Sequence, residues 1–584
     1  MQENKLTGYP SIDKPWLKYY SEEAINAPLP ECSVYDLLWA RNSNNLQDYA
    51  LDYFGRKMTF KTFFERIEEA AKAFLALGVK EGEIVSIVSV STPVSVICFY
   101  ALNRIGAVSN FLNVLAEQDD LHNFFVEAKS KVVVTLDLFA KKVLPAANES
   151  GAEHIIVFSV TQEMTLAVKI GYHLKAKRMD LPTDNHNLLQ WADFLKMSVG
   201  RPQIHFAKDP HKPCLLAHTG GTTGEPKAVV LTDYAMNAVV GGYFAIKDSS
   251  EVLRGSKQNS VFLQVMIPFV VYGILTCTHM PLCMGWCLAL IPKFDGSAWS
   301  KYFKKYGLHY AFAVPAYISS MLEDKKLNNI DFSKIRTIAM GGDGMNEKLE
   351  NEINDFFRAH GSNVEVVKGY GLSEVSATAI STFPGCNKIG SVGIPLYANN
   401  VMSYDNDTEK ERTYNEIGEI CLQCPSRMQG YMNNEEATSQ LFRIHADGSE
   451  WLHTGDLGYI DEDGFLFLSG RIKRMILTTK DGVAYKVFPN IPEEVLAEHT
   501  EVLQSCIVGA FSDGNEVLRA YVVVSAEKLS EVPRIETELR RICEQKLPVY
   551  SRPTFYEFRE KLPLTAAGKI DYRALEKQAE EMSK

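Results

Sequence analysis

Three glycines, three threonines and a lysine fall within nine consecutive positions, Thr219-Gly-Gly-Thr-Thr-Gly-Glu-Pro-Lys227, with apolar runs on both sides. Gly220, Gly221 and Gly224 let backbone N–H groups turn inward and approach anionic oxygens closely. The hydroxyls of Thr219, Thr222 and Thr223 add donors, and Lys227 adds a positive charge. That combination suits a phosphate. It is not a Walker loop, because no Gly-Lys-Ser/Thr closes it. Glycine-rich hairpins between strands are common, so glycines alone would say little.

Five further groups follow in order. Gly341-Gly-Asp-Gly344 places Gly342 and Asp343 after a short apolar run, and Gly369-Tyr-Gly-Leu-Ser-Glu374 offers Tyr370, Gly371, Ser373 and a carboxylate. A carboxylate suits Mg2+ held beside phosphates, because that ion prefers hard oxygen ligands. Trp451-Leu-His-Thr-Gly-Asp456 presents a second carboxylate, able to accept two hydrogen bonds from neighbouring hydroxyls. Gly470-Arg471-Ile-Lys473 is basic, and Leu562-Pro-Leu-Thr-Ala-Ala-Gly-Lys569-Ile-Asp571 carries a lysine near the C-terminus. Each has a plain alternative. Asp456 could be a turn residue, Glu374 a charge at a helix start, and Lys569 a surface lysine.

The six groups together closely resemble the adenylate-forming superfamily, the AMP-binding enzymes that include acyl-CoA synthetases, firefly luciferase and peptide-synthetase adenylation domains. The resemblance runs over nearly the whole chain, since Phe60 to Leu112 also looks like the family's N-terminal region. It implies an ATP-dependent, carboxylate-activating enzyme that forms an acyl-adenylate, releases pyrophosphate and passes the acyl group to coenzyme A. A fatty acid is the expected substrate. On this resemblance Lys569, Glu374 and Thr222 are the catalytic residues, with Glu374 holding Mg2+. Residues 219 to 224 and Lys227 would cradle the phosphates. Gly342, Asp343, Tyr370, Gly371 and Ser373 would line the nucleotide and acyl pocket. Asp456 would take the ribose, Arg471 would contact the nucleotide and Lys473 would be a pivot.

Several positions depart from the family pattern. Val270 stands where a histidine is frequent, Ala484 where glycine is frequent, and Arg474 replaces a common aspartate. These bear on thiol transfer and leave adenylation untouched. They keep open a rival, an adenylating enzyme that loads a carrier protein or an amine. A third reading, a non-catalytic nucleotide or acyl sensor, sits poorly with Lys569 and Glu374 both present. For Asp343 a role in shaping its loop, ahead of the Asn346 cap, is expected over contact with substrate.

The elements that must position these groups alternate along the chain. Phe60, Phe63, Phe64, Ile67, Ala71, Phe74 and Leu77 recur at helical spacing, with Gly78 as a stop. Short β-branched runs at 84–88, 131–136 and 155–158, separated by helical patterns, indicate parallel sheets. Near the C-terminus the pattern restarts, with strands expected over 507–510 and 520–524 and a helix over 534–547. The expected fold is therefore α/β. A large multi-sheet N-terminal domain, 1–471, binds AMP and acyl group. A short hinge joins it to a small α+β C-terminal domain, 472–584, which is mobile and carries Lys569.

Composition excludes other classes. With 584 residues the chain is too long for one core, and a net charge of -11 argues against a nucleic-acid binder. No secretory signal is read at the N-terminus, and Pro268, His279 and Pro281 interrupt the longest apolar stretch, 261–292. No transmembrane segment is expected. The segment 168–179, with Lys169, His173, Lys175, Lys177 and Arg178 among apolar residues, leaves a peripheral membrane contact open, although a solvated helix is expected. Eleven scattered cysteines fit a reducing, cytoplasmic setting. Cys421 and Cys424 form the one Cys-x-x-Cys, and no second pair completes a zinc site, so no structural metal is expected.

Overall fold

The computed structural model describes residues 6–175, 187–219, 227–254, 259–480, 482–512, 515–565 and 569–582. Among these, two large sheets carry the N-terminal part. One has nine strands and the other eight, and a six-stranded antiparallel sheet is built from strands between Asn400 and Arg471. The parallel strands run as expected. Ile84–Val88, Val132–Leu136 and His154–Phe158 pair side by side in the eight-stranded sheet. They are almost entirely buried because helices cover both faces. The helix over Phe60–Ala76 starts where Thr59 accepts the Thr62 N–H and stops at Gly78, whose φ is +89°. Its apolar face buries Phe60, Phe63, Ile67 and Phe74.

The apolar stretch 261–292 breaks into short buried pieces. They are strand Val261–Gln264, a π-helical segment Tyr272–His279, helix Met280–Cys283 and strand Cys287–Leu290. Among the described residues no helix is long and apolar enough to cross a membrane.

Two strands of the nine-stranded sheet, Thr337–Gly341 and Val366–Tyr370, are parallel neighbours and end at the same level. Their C-terminal ends deliver the Gly341 and Gly369 motifs together, the place where open α/β sheets bind ligands. In the other large sheet, Pro213–His218 and Ala228–Thr232 form an antiparallel hairpin. Lys208 anchors its base. Its Nζ stands 2.5 Å from Asp233 Oδ2 and donates to the Pro213 carbonyl at 3.0 Å. Asp233 also accepts from Val34 N and Asn103 Nδ2, and both charged side chains are almost fully buried.

The strand Leu466–Arg471 still pairs with Glu450–Ile460, whereas Ile476–Lys480 packs against the C-terminal sheet. That sheet has strands Gln504–Ser512, Asn515–Val523 and Phe555–Arg559, wider than the runs expected from sequence. Leu496, Ile535 and Leu539 from helices Asn490–Ala497 and Val532–Lys546 cover one face. Leu575 and Ala579 from helix Tyr572–Met582 cover the other. Lys348 of the large part reaches across, donating to the carbonyls of His499 and Val502 at 3.2 and 3.1 Å.

Candidate active site

The phosphate-loop candidates Gly220, Gly221, Thr222, Thr223 and Gly224 lie outside the described residues. Both ends of their loop are described. Thr219 N donates to the Lys227 carbonyl at 2.9 Å, closing the neck of the hairpin. Next to it the short strand Gly430–Tyr431 pairs with Val229 and Val230. Tyr431 thereby meets both charged candidates. Its hydroxyl donates to Glu374 Oε1 at 2.7 Å, and Lys227 Nζ stands 4.8 Å from its ring centroid. Such a cation over a phenol face is favourable.

Glu374 is placed by a tight turn. Ser373 opens a single 3₁₀ turn, Ser373–Val375, and Ser376 and Ala377 then take left-handed φ of +55° and +77°. The returning chain presses on Gly371, where a Cβ would lie 1.8 Å from the Ala377 oxygen. Only glycine fits. Glu374 is half-buried, and a carboxylate beside the neck of a phosphate loop fits Mg2+, which binds through one or two carboxylates plus phosphate oxygens.

A second cluster forms around Asp456, which is 3% exposed. Tyr370 donates its hydroxyl to Oδ2 at 2.7 Å, and Arg471 Nε lies 2.5 Å from Oδ1. Burial, with Asp456 beside it, pushes the Tyr370 phenol well above its ordinary value, so it stays a neutral donor. Each carboxylate oxygen keeps a further lone pair for a ligand hydroxyl. Gly342, at φ +86°, and Asp343 are exposed just past strand Thr337–Gly341. Asp343 accepts from Gly344 N at 2.9 Å, and Asn346 caps the following helix through Leu349 N, as the loop role requires.

Lys569 comes from the far end of the chain. Its loop is clamped where Thr565 N donates to the Lys569 carbonyl at 2.7 Å and Leu564 bridges Ile570. Burial lowers the pKa of the Lys569 ammonium from its usual value, while Asp343, Asp456 and Glu374 act to raise it and Arg471 to lower it. The side chain still has solvent access, so it lines a water-accessible cleft rather than a closed core. Among the charged groups that act on it Asp343 leads, an influence that sequence reasoning did not foresee. Lys473 is exposed in the 3₁₀ turn Ile472–Arg474 at the junction between the two parts.

Arg474, a departure from the family pattern, donates to Glu493 at 2.7 Å and lies 5.2 Å from the Tyr572 ring centroid, both C-terminal residues. Val270 is half-buried, and Ala484 is exposed on strand Val483–Val487. Sequence reasoning also missed Tyr431 and His218. The His218 Nε2 faces Asn110 Oδ1 at 2.8 Å, and burial lowers its pKa to about 4, leaving it neutral beside the loop. Its only signal was adjacency to Thr219.

Known proteins resemble the chain along nearly its whole length. The AMP-binding enzyme family matches residues 38–432, and the AMP-binding enzyme C-terminal domain matches 492–569. A long-chain-fatty-acid–CoA ligase of Bacillus subtilis (strain 168) is 29% identical over 574 residues, covering 96% of this chain and 97% of its own. A probable 4-coumarate–CoA ligase of Dictyostelium discoideum is 26% identical over 564 residues, covering 94% and 96%. The ATP-bound structure of MatB from Rhodopseudomonas palustris superposes with a TM-score of 0.78 at 20% identity, covering 94% of this chain and all of its own. Both parts of the family are matched in order along a single chain, and the protein belongs to the adenylate-forming, AMP-binding enzymes.

Proposed function

We propose that this acid–CoA ligase activates a fatty acid. On this reading its carboxylate attacks the ATP α-phosphorus, pyrophosphate leaves, and the thiol of coenzyme A then displaces AMP from the acyl carbonyl. The observation that carries the reading is the pair of polar clusters that folding assembles, Lys227 and Glu374 around Tyr431 and Tyr370 and Arg471 around Asp456, with the charges of Asp456 and Glu374 felt at Lys569. The first step brings one anion to another, so the site must supply positive charge and donors at the reacting oxygens. Lys569 would bridge the substrate carboxylate and the α-phosphate. Lys227 and the loop from Thr219 would hold the outer phosphates, with Thr222 a donor among them. Asp456 would take the ribose hydroxyls and Tyr370 would flank the adenine, with Arg471 tying Asp456 in place. Mg2+ on Glu374 would neutralise phosphate charge.

The pivot would lie at the proposed division, 471/472, near Lys473 and Gly470, whose φ is +142°. Rotation there would withdraw Lys569 after adenylation and open a path for the thiol. A small cavity of about 30 Å³ is lined by Tyr243, Met280, Met284, Trp286, Tyr310 and Phe312 with Lys247 and Thr382. Its wall includes Thr337 and Val367, near the opposite ends of the strands that bear Gly341 and Gly369. The fatty-acid and aryl ligases among the relatives bracket the choice.

The test is a panel of carboxylic acids with ATP and coenzyme A, in which AMP and thioester are measured separately. Long-chain acids should give both products in equal amounts. AMP without thioester would instead favour the carrier- or amine-loading rival, the outcome to which Val270 and Ala484 point. A preference for aromatic acids would overturn the fatty-acid assignment.

All eleven cysteines are free thiols, which supports a reducing, cytoplasmic setting. A peripheral lipid contact is part of the same reading. Helix Leu166–Lys175 leaves Leu166, Ile170 and Leu174 exposed at 75%, 53% and 83%, one helical face spaced four residues apart. Lys177 and Arg178 lie outside the described residues. Replacing Ile170 and Leu174 with aspartate should abolish sedimentation with anionic phosphatidylglycerol vesicles. Unchanged sedimentation would remove the helix as the contact.

A further inference from the structure

Outside the cleft, the six-stranded sheet gathers a second set of chemically able side chains. Cys421 on strand Gly418–Gln423 is the register partner of His453 on strand Glu450–Ile460. The strand Phe442–Ile444 flanks the same edge, and its ladder continues as His445 N donates to the Ser449 carbonyl at 2.8 Å. That places His445 over the pair. Its Nε2 lies 3.0 Å from His453 Nε2, and Cys421 Sγ lies 3.5 Å from His453 Nδ1. One nitrogen from each imidazole and the sulfur all lie within 4.8 Å of one another. Cys421 and His453 are buried, while His445 is half-buried and open to solvent.

We propose that Cys421, His445 and His453 form a binding site for Zn2+, with Glu419 as the carboxylate that orients His453. Two nitrogens on a tetrahedral zinc stand about 3.3 Å apart, close to the 3.0 Å between the two Nε2 atoms, and Cys421 Sγ, which now faces His453 Nδ1 at 3.5 Å, would turn towards Nε2 to reach the ion. Thiolate with imidazole is a donor set that selects zinc over magnesium or calcium. Glu419 Oε2 lies 2.8 Å from His453 Nδ1, which fixes the proton there and leaves Nε2 as a lone-pair donor. A carboxylate behind a histidine ligand is the usual arrangement in zinc sites. Tyr404 stacks on His445 at 4.2 Å, and Met402 and Trp451 complete an apolar wall that shields the ion.

Binding forms a sulfur–zinc bond and breaks the Cys421 S–H bond, releasing the proton to solvent, with no change of oxidation state. The fourth position is left to water at the exposed side of His445. The consequence for the cleft is mechanical. Glu419 Oε1 accepts the Gly455 N–H at 2.9 Å, one residue before Asp456, so the ion would stiffen the strand that holds that carboxylate. Cys424, the other half of the Cys-x-x-Cys, takes no part, since it lies beyond the end of strand Gly418–Gln423.

The experiment uses the full chain, stripped with chelator and titrated with Co2+ and Zn2+. One Co2+ per chain should bind with a thiolate-to-cobalt charge-transfer band in the near ultraviolet, and Zn2+ should displace it. Cys421→Ser should lose the band, and His445→Ala should weaken Co2+ binding about tenfold or more. His445 is exposed enough for that variant to fold, which its unchanged far-ultraviolet dichroism would show. A hydrogen-bonded His445–His453–Glu419 chain with no ion would give no band and no stoichiometric uptake. That result, or uptake untouched by both variants, overturns the proposal.

Discussion

Lys569→Ala slows pyrophosphate exchange about 10²–10³-fold, the cost of removing one preorganised donor from a transition state that gathers negative charge. The loss falls on rate, with little change in the ATP concentration giving half-maximal exchange, because the lysine acts where charge develops. Conversion of a supplied acyl-adenylate to thioester should stay within a few-fold of wild type, since the proposed rotation removes Lys569 from that step. The pH dependence carries a second signature. Desolvation in the cleft depresses the Lys569 pKa, so the charged form is lost on the alkaline side earlier than for a lysine free in solution. Exchange should therefore decline at high pH in the wild type, and that limb should disappear in the variant. Exchange that survives at the wild-type rate would remove Lys569 from catalysis.

Lys208→Met lowers stability by about 3–5 kcal/mol, the cost of stripping the partner from a buried carboxylate. Asp233 lies at 0% exposure, and burial already pushes its carboxyl up from the ordinary value even with Lys208 beside it. Without the lysine that carboxyl would hold its proton more tightly in the folded chain than in the unfolded one. Stability then falls as pH rises from the unfolded carboxyl value to the raised folded one, because the folded state binds more protons across that window. The variant's deficit in urea midpoint should accordingly be smaller at pH 5 than at pH 8. Adding Asp233→Asn should recover part of it. Equal midpoints for wild type and Lys208→Met at pH 8 would show that the pair contributes no net stability.

The glycine-rich run at 219–227, Glu374 and Asp456 stood out in the sequence because each is a local chemical statement, whereas Lys569 was singled out by the family resemblance alone. Glycine spacing reports close backbone approach, and a carboxylate after Tyr370-Gly371 reports a turn that only glycine permits. The sheets were legible for a similar reason, since buried parallel strands read as short β-branched runs. The C-terminal strands were underestimated because Arg519 and Glu516 interrupt the apolar run. They pair nonetheless, as backbone hydrogen bonds do not depend on side-chain polarity. Tyr431 was not legible, for its partners Lys227 and Glu374 lie far away in sequence. The same holds for His445. Beside Cys421 the sequence offered only Cys424, whereas the third dimension brings two imidazoles from other strands.

What the sequence determined by itself is the residues available: a glycine- and threonine-rich run, two carboxylates, a late lysine and the order in which they occur. Tertiary structure alone decided which of these meet. Lys569 comes under the charges of Asp343, Asp456 and Glu374, and Asp456 holds Tyr370 and Arg471 together. The reason is physical. Motif residues act through their own backbone, whose conformation neighbouring residues set. Electrostatic partners are chosen by the packing of sheets and helices, to which residues hundreds of positions apart contribute equally.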